Sequence, residues 1–245
     1  YTSTVKLKLD SSWRHRYKTS YRITTSAVDG TGIAYDPADE PTAEELASRG
    51  AKSGRSEKIT VVYSPIIASS AVVIDAETKA VVYEKYARKQ RKVASITKLM
   101  TAILLTEKYS LTHKVTVTKE AAKTPWGIGL KMGDKMSVEN LLYAMMLPSA
   151  NDAATASGIA VSGSTAKFTK KMTERAAALG CADTVYSNAH GLDTKSNHST
   201  AYDQALVGAY VMTSKSTAMI RKVANTKTRT IASAAGRRYY LESTD

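Results

Sequence analysis

The sequence has 245 residues, 43% of them hydrophobic, which is enough for one large domain or two modest ones with a buried core. Its formal net charge of +13 favours polyanionic partners such as nucleic acid, anionic lipid headgroups or an acidic cell-wall polymer, and charge alone does not choose among them. The single cysteine, Cys181, excludes an intramolecular disulfide, and no run of about eighteen apolar residues, as a membrane span requires, is present.

The pattern of the basic residues narrows the choice of partner. Lysine and arginine are spread along the whole chain, without zinc-finger spacing, an RNA-binding aromatic signature or a basic helix followed by heptads. We therefore expect no nucleic-acid partner. The chain begins at Tyr1 without a charged and apolar leader, which is typical of a processed, trimmed or fragmentary product. A removed secretion signal, or a membrane anchor outside this sequence, stays open.

Residues 1–62 differ in composition from the rest of the chain. They are polar, with the turn-forming stretches VDGTG and DPADEP, and they contain one predicted short helix, TAEELASRG. Thr42 is its predicted N-cap, Glu45 the capping-box partner and Gly50 the stop. We predict an N-terminal extension with limited order of its own; the alternative is an arm that binds the cell wall or a partner.

The main domain is predicted over residues 63–245. The stretch SAVVIDAETKAVVYEKYA contains two β-branched runs joined by a polar turn, which predicts a hairpin over residues 69–87. A largely apolar helix follows in VASITKLMTAILL, in which Lys98 stands three residues after Ser95. On a helix this spacing places both side chains on one face, and a buried lysine has a lowered pKa that lets it act as the base for a serine nucleophile.

This pair also has a structural interpretation. Ser-x-x-Lys is a short pattern that a basic, serine-rich chain produces by chance, and the Lys98 stem can instead run along an apolar helix surface until its ammonium reaches solvent. The pair alone therefore does not establish catalysis, and the other elements of the sequence are needed to choose between the two interpretations.

The downstream sequence places a second polar cluster between two helices. HKVTVTKEAA predicts a short strand, and Ser137 is the predicted cap of a helix that Pro148 ends. Ser149 and Asn151, in the sequence SAN, then lie in a tight connection before an apolar helix that begins near Asp152. Such a connection presents short polar side chains to a cleft while the helices hold them rigidly.

Two further helices are predicted, at STAKFTKKMTERAAALG and TAYDQALVGAYVMT, with the polar loop SNAHGLDTKSNHST between them. The four histidines show no metal-ligand spacing, so His190 is predicted to be a structural loop residue. Asp193 is predicted to accept a hydrogen bond that closes the loop, and Cys181 to be a small buried residue. We expect no metal ion and no cofactor.

Together these elements resemble a known family. ASITKLMTAILL, LKMGDKMSVENLLYAMMLPSANDAA and NAHGLDTKSNHSTAYDQALVGAYV are similar, in order, to stretches of the D-alanyl-D-alanine carboxypeptidases among the low-molecular-mass penicillin-binding proteins. The resemblance covers roughly residue 66 to the end. It implies an α+β fold of the β-lactamase and DD-peptidase kind, with an antiparallel sheet begun by the 69–87 hairpin and a helical lobe, from about Ser95 to Ala224, inserted into it.

The resemblance also implies roles for four residues. Ser95 would attack the carbonyl of the D-Ala-D-Ala bond while neutral Lys98 takes its proton. Ser149 would pass a proton to the leaving amine, and Asn151 would hydrogen-bond the substrate amide. The implied substrate is a peptidoglycan stem peptide, β-lactam antibiotics would be trapped as acyl-enzymes, and the protein would work outside the cytoplasm, secreted or on the bacterial cell envelope.

One element of the family is not found where it is expected. A Lys-Thr-Gly or Lys-Ser-Gly strand should follow the helical region, and the only match, Lys52-Ser53-Gly54, follows a predicted helix and is interpreted as chance. That strand would supply the second oxyanion N–H, and loss of one such donor lowers turnover by roughly a hundredfold to a thousandfold. We therefore expect an incomplete sheet, in a fragment of an active enzyme or in a degenerate member that is inactive alone.

Three functions follow from this interpretation. A serine-type D-Ala-D-Ala carboxypeptidase is favoured, and a β-lactamase or transpeptidase of the same fold is the first alternative. Ala150 occupies the centre of SAN, where class A β-lactamases carry Asp, which favours the carboxypeptidase over the β-lactamase. The second alternative is a non-catalytic protein that binds the cell wall or acts as a scaffold.

Overall fold

The computed structural model describes residues 2–8, 22–24, 56–62, 68–192, 194 and 196–244. In the first three ranges it describes the backbone alone. The chain divides into two compact units, Tyr1–Ala71 with Tyr83–Lys85, and Val72–Val82 with Tyr86–Asp245. The second unit contains all the residues to which the sequence assigns a catalytic or binding role.

Three strands form an antiparallel sheet in the first unit. They are β1 (Thr2–Lys8), β2 (Arg22–Thr24) and β3 (Ser56–Val62), in the order β2-β1-β3. The expected extension of limited order therefore contains regular structure, which its polar composition conceals because lysines alternate with apolar residues in VKLK and EKITV. The helix predicted at TAEELASRG and the sequence Lys52-Ser53-Gly54 lie outside the described residues.

The predicted hairpin is confirmed as the strands β4 (Ala71–Ile74) and β5 (Val81–Lys85), which form a two-stranded sheet. Its turn is organised by Asp75, whose carboxylate accepts the backbone N–H of Glu77 at 3.0 Å and of Thr78 at 2.7 Å. Among the described strands, β4 and β5 pair with each other alone, so the larger sheet expected from this hairpin is not formed in that part of the chain.

Helices dominate the chain between β5 and residue 224, as predicted. They are α1 (Thr97–Lys108), α2 (Lys119–Ala122), α3 (Val138–Met146), α4 (Asn151–Ser162), α5 (Thr165–Ala178), α6 (Ala201–Thr213) and α7 (Ala218–Ala224). A short antiparallel pair, β6 (Lys114–Thr116) with β7 (Lys135–Ser137), lies among them. The strand predicted in HKVTVTKEAA is β6.

Side-chain caps fix where several helices begin. The Ser137 hydroxyl accepts the Asn140 N–H at 3.2 Å at the start of α3, as predicted, and the Thr200 hydroxyl accepts the Asp203 N–H at 3.0 Å at the start of α6. Pro148 lies two residues after Met146, the last residue of α3, where proline cannot continue the helix. The connection from α3 to α4 is therefore short, and it contains Ser149.

The core is built around α1, which packs against α3, α4, α5 and α6. Met100, Ile103 and Leu105 of α1 are fully buried, because the helix is apolar on nearly all sides and is surrounded by other helices. Phe168 of α5 is also fully buried and packs so closely on α4 that a Cβ at Gly158 would lie 2.5 Å from its ring. This packing makes α1 a rigid support for the residues at its start.

A second hairpin follows the helices and is absent from the sequence predictions. It consists of β8 (Thr228–Ala232) and β9 (Arg238–Glu242), which pair in antiparallel register with Ile231 opposite Tyr239. The alternation in TRTIA and the β-formers in RYYLE, separated by a glycine-containing turn, are the signal that indicates it. The Asn140 side chain of α3 donates to the Ala232 carbonyl at 2.8 Å and anchors the hairpin to the lobe.

Among the helices that the structure describes, none combines the length and the apolar character needed to cross a membrane.

Candidate active site

Ser95 and Lys98 lie together at the start of α1. Residues Ala94–Ile96 form one turn of 3-10 helix that leads directly into α1, so Ser95 occupies the turn and Lys98 the first turn of the α-helix. The Lys98 Nζ is 2.9 Å from the Ser95 Oγ. The predicted proximity of these two side chains is therefore confirmed.

The Lys98 side chain is buried, with only 2% of the residue exposed. The alternative in which Lys98 runs along the helix surface to solvent is therefore wrong. Burial lowers the pKa of Lys98 from its usual value near 10.5 to about 8, because removal from water disfavours the charged form. A lysine with this pKa is partly neutral at physiological pH and can accept a proton from a serine.

A backbone carbonyl provides the second contact of Lys98. The Nζ donates to the carbonyl oxygen of His190 at 2.8 Å, so the loop predicted to be merely structural touches the candidate base. The His190 imidazole is not placed against Ser95; its Nδ1 accepts the Leu192 N–H at 3.2 Å. Burial and the charge of Lys98 lower the pKa of His190 to about 4, so this ring is neutral at physiological pH. Asp193 lies outside the described residues.

Ser149 and Asn151 flank the start of α4, as predicted. Ser149 lies in the connection between α3 and α4, and Asn151 is the first residue of α4, which packs against α1. The Asn151 side chain donates from Nδ2 to the Pro125 carbonyl at 3.0 Å. Throughout the described residues, neither Ser149 nor Asn151 is hydrogen-bonded to Ser95 or Lys98. The structure therefore joins the first pair directly and holds the second pair on the neighbouring helix.

Asp152 is the residue of this site whose role the sequence did not indicate. It is 1% exposed, and its carboxylate accepts four backbone N–H groups, those of Ile128 at 3.2 Å, Gly129 at 3.0 Å, Leu130 at 2.9 Å and Ala153 at 2.8 Å. These bonds tie the loop 125–130 to α4 beside Asn151. An acidic residue in the first turn of a helix is the one available signal, and it normally indicates only a favourable dipole interaction.

Left-handed backbone conformations cluster at the same place. Five described non-glycine residues have positive φ, and three of these are Ala94 at 43°, Trp126 at 54° and Ser149 at 58°. Ala94 precedes Ser95, and the Trp126 carbonyl accepts the Asn151 N–H at 3.1 Å. Strain of this kind persists only where surrounding contacts enforce it, and it concentrates at functional sites.

Two other chemistries can be compared with the described residues, a metal site and a cysteine nucleophile. These residues contain no group of three His, Cys, Asp or Glu side chains that could hold a metal ion. Cys181 is buried as predicted, and burial raises the pKa of its thiol to about 12, which keeps it protonated and unreactive.

These features define a class of protein. A serine hydroxyl bonded to the Nζ of a buried lysine, at the start of the central helix of an α+β domain, resembles the arrangement in serine acyl-transferases that use lysine as their base.

The family within this class is given by comparison with known proteins. The family model for D-alanyl-D-alanine carboxypeptidase, Peptidase S11, matches residues 57–241. The chain belongs to this family. The match begins ahead of the domain boundary expected at residue 63 and includes nearly all of β3.

Relatives and solved structures agree with this assignment. The chain is 36% identical over 146 residues to the D-alanyl-D-alanine carboxypeptidase DacF of Bacillus subtilis, covering 57% of this chain and 38% of that protein. The crystal structure of the Streptomyces K15 DD-transpeptidase superposes with a TM-score of 0.67 at 30% identity, covering 76% of each chain. The crystal structure of the D-alanyl-D-alanine carboxypeptidase DacD from Francisella tularensis superposes with a TM-score of 0.66 at 28% identity, covering 71% of this chain and 43% of that one. The chain therefore spans about two fifths of the length of DacF, and the predicted α+β, DD-peptidase-like fold is confirmed.

Proposed function

We propose that this protein is a serine-type D-Ala-D-Ala carboxypeptidase that removes the terminal D-Ala of peptidoglycan stem peptides outside the bacterial cytoplasm. One observation carries the proposal: the Ser95 hydroxyl lies 2.9 Å from the Nζ of a buried lysine whose pKa is lowered to about 8. The family match and the D-alanyl-D-alanine carboxypeptidase names of the relatives support the choice of substrate.

The mechanism begins with proton transfer from Ser95 to Lys98. Neutral Lys98 accepts the hydroxyl proton as the Ser95 Oγ forms a bond to the carbonyl carbon of the penultimate D-Ala. The C–N bond to the terminal D-Ala then breaks, and the departing amine receives a proton from Lys98 through the Ser149 hydroxyl. The product is an ester on Ser95, and the backbone N–H of Ser95 acts as one donor to the developing oxyanion.

The second half-reaction returns the enzyme to its starting state. Water loses a proton to Lys98 and attacks the ester carbonyl, the bond to the Ser95 Oγ breaks, and Ser95 regains its proton. Asn151 holds the substrate amide with its side chain. A β-lactam enters by the same attack, but its leaving amine stays tethered, so the acyl-enzyme hydrolyses slowly and the antibiotic remains bound.

Intact mass after incubation with benzylpenicillin tests this proposal. We expect one penicilloyl group on the wild-type chain and none on Ser95→Ala. Ser162→Ala is the matched control, because the hydroxyl oxygen of Ser162 is buried and has no hydrogen-bond partner in the described structure. Absence of an adduct from folded wild-type protein contradicts the proposal, and so does an adduct that persists in Ser95→Ala.

A second candidate function, transpeptidation, is favoured by the likeness to the K15 DD-transpeptidase. Both reactions share the Ser95 ester and differ in whether water or an amine resolves it. Product analysis with a D-Ala-D-Ala peptide and added glycine separates them, since a carboxypeptidase releases free acid and a transpeptidase forms the glycine adduct. Rapid loss of the penicilloyl group would instead indicate a β-lactamase, and cell-wall binding unchanged by Ser95→Ala would indicate a non-catalytic protein.

A further inference from the structure

A neutral Lys98 must be oriented correctly before it can accept the proton of Ser95. A neutral amine has two N–H bonds and one lone pair, and only the lone pair can accept the Ser95 proton. Rotation about the last side-chain bond can aim an N–H at Ser95 just as easily. The His190 carbonyl, at 2.8 Å from Nζ, accepts one N–H and so restricts this rotation. With that N–H held by the carbonyl, only the second N–H or the lone pair can face Ser95, and the lone pair faces it when the Ser95 hydroxyl donates.

The direction of the His190 carbonyl is set by Asn188. A trans peptide holds its C=O and its N–H in one plane, pointing in opposite directions, so the His190 carbonyl points away from the Gly191 N–H. That N–H donates to the Asn188 Oδ1 at 2.6 Å, and the His190 N–H donates to the same oxygen at 3.1 Å. The Asn188 Nδ2 donates to the Leu192 carbonyl at 2.8 Å and closes the turn. Asn188 is only 7% exposed, so water does not readily replace these bonds.

The same turn lies directly on the backbone that carries Ser95. Gly191 has φ of 87°, and a Cβ at this position would lie 1.8 Å from the Ala94 carbonyl oxygen. The neighbouring Ala189 carbonyl accepts the Thr101 hydroxyl at 2.7 Å, one turn along α1 from Lys98. Two successive carbonyls of the turn are thus bonded to side chains of one helix, and the turn and α1 are held in register.

We propose that Asn188 is a positioning residue for acyl transfer: by fixing the His190–Gly191 peptide plane it aims the His190 carbonyl at Lys98 and holds the lysine amine where its lone pair can accept the Ser95 proton. This inference rests on the proposed function and adds to it a residue that touches neither substrate nor nucleophile. Misplacing a reacting group by 1 Å costs about a hundredfold in rate, so the loss of Asn188 has a large expected effect.

Other charged groups around Lys98 are engaged with other partners. His190, on the turn itself, is neutral at physiological pH. Five charged groups on the helices that pack against α1 have these partners: Glu139 with Arg229, Asp152 with backbone amides, Lys170 with Glu174, Arg175 with Glu107, and Asp203 with Thr184. Lys167 and Lys171 also lie on α5. A change in the behaviour of Lys98 on mutation of Asn188 is therefore assigned to the turn.

The test separates the acylation step from binding and folding. Stopped-flow acylation by nitrocefin gives the rate constant k2 and the dissociation constant of the preceding complex for the wild type, Asn188→Leu and Asn188→Asp. Thr184→Val is the matched control, because Thr184 is buried in the same segment and bonded to Ser199 and Asp203 rather than to the turn. If Asn188→Leu does not fold, Asn188→Ala replaces it, and the same fall in k2 is expected.

We expect k2 of Asn188→Leu to fall between tenfold and a hundredfold with an unchanged dissociation constant and a full amplitude of acylated protein. Asn188→Asp retains the acceptor oxygen but loses the donor to the Leu192 carbonyl and adds a buried charge, so it should recover only part of the rate. Thr184→Val should lower the melting temperature and leave k2 unchanged. A k2 for Asn188→Leu within twofold of wild type overturns the proposal, as does a fall in amplitude alone, which would mark a folding defect.

A spectroscopic measurement decides the question without turnover. NMR of side-chain-labelled lysine follows the titration of Lys98, with Lys98→Met to assign its signal. In Asn188→Leu the site stays buried, but the His190 carbonyl is no longer held where it stabilises the Lys98 ammonium. The pKa of Lys98 should therefore fall below its wild-type value. An unchanged titration overturns the positioning role. If wild-type protein is not acylated at all, the proposed function fails, and this titration alone decides the role of Asn188.

Discussion

The two sides of the candidate site are held in place by different means. The lysine side consists of Ser95, Lys98 and the turn 188–192, and there the reactive amine itself is bonded to both the serine and a carbonyl. The asparagine side consists of residues 149–152 and the loop 125–130. There the principal anchor is the Asp152 carboxylate, which is adjacent in sequence to Asn151 and binds the loop through its amides.

This difference separates the side of the site that carries the proton-transfer groups from the side that carries the main structural anchor. On the lysine side, the contacts either involve Lys98, which moves a proton, or hold the turn that contacts it, so changes there should act on rate. On the asparagine side, a buried carboxylate satisfied by four N–H groups is a strong structural anchor, because charged hydrogen bonds exceed neutral ones in strength. Changes to that anchor should act first on stability.

The largest expected effect comes from Gly191→Ala, which breaks the lysine side. The new Cβ would collide with the Ala94 carbonyl at 1.8 Å and displace the turn from Ser95. We expect acylation by benzylpenicillin to slow at least about a hundredfold. Gly236→Ala is the matched control, since Gly236 also has positive φ, at 81°, but its Cβ would meet open space. Equal rates for the two variants would contradict this account of the turn.

A smaller effect is expected from Asp152→Asn on the asparagine side. The amide group would place N–H donors against the N–H groups of Gly129 and Leu130, which now share one carboxylate oxygen. We expect the free energy of unfolding to fall by about 2–4 kcal/mol, measured by urea titration, with a smaller effect on the acylation rate of the folded fraction. Asp183→Asn, at a half-buried position, should change stability by less than about 0.5 kcal/mol. A loss of rate without a loss of stability would reverse the comparison.

The smallest expected effect is a pH dependence of the acylation rate, which tests the role of Lys98 on the lysine side. The base must be neutral Lys98, and its pKa is lowered to about 8, so the acylation rate should rise with pH and level off above that value. The rate at pH 7 should be about one tenth of the plateau, because only about one lysine in eleven is then neutral. Acylation that is equally fast from about pH 6 to 9 would show that Lys98 is not the base.

Much of the local structure is predictable from the sequence because its causes are local. The periodicity of VASITKLMTAILL, the Ser137 cap and Pro148 predict α1, the start of α3 and its end. The β8–β9 hairpin was missed because the residues between its strands, SAAGR, carry one glycine and no asparagine, aspartate or proline as a turn signal.

The sequence by itself determined the Ser95–Lys98 pair, because a three-residue spacing on a helix leaves the two side chains few other arrangements. It also placed Ser149 and Asn151 at a helix boundary. Only the tertiary structure decided what completes the site: the His190 carbonyl lies 92 residues from Lys98 in the chain, and three of the four amides that bind Asp152 lie 22 to 24 residues away from it. Backbone groups are the same in every residue and leave no mark in the sequence, so their contribution to a site emerges only when the chain has folded.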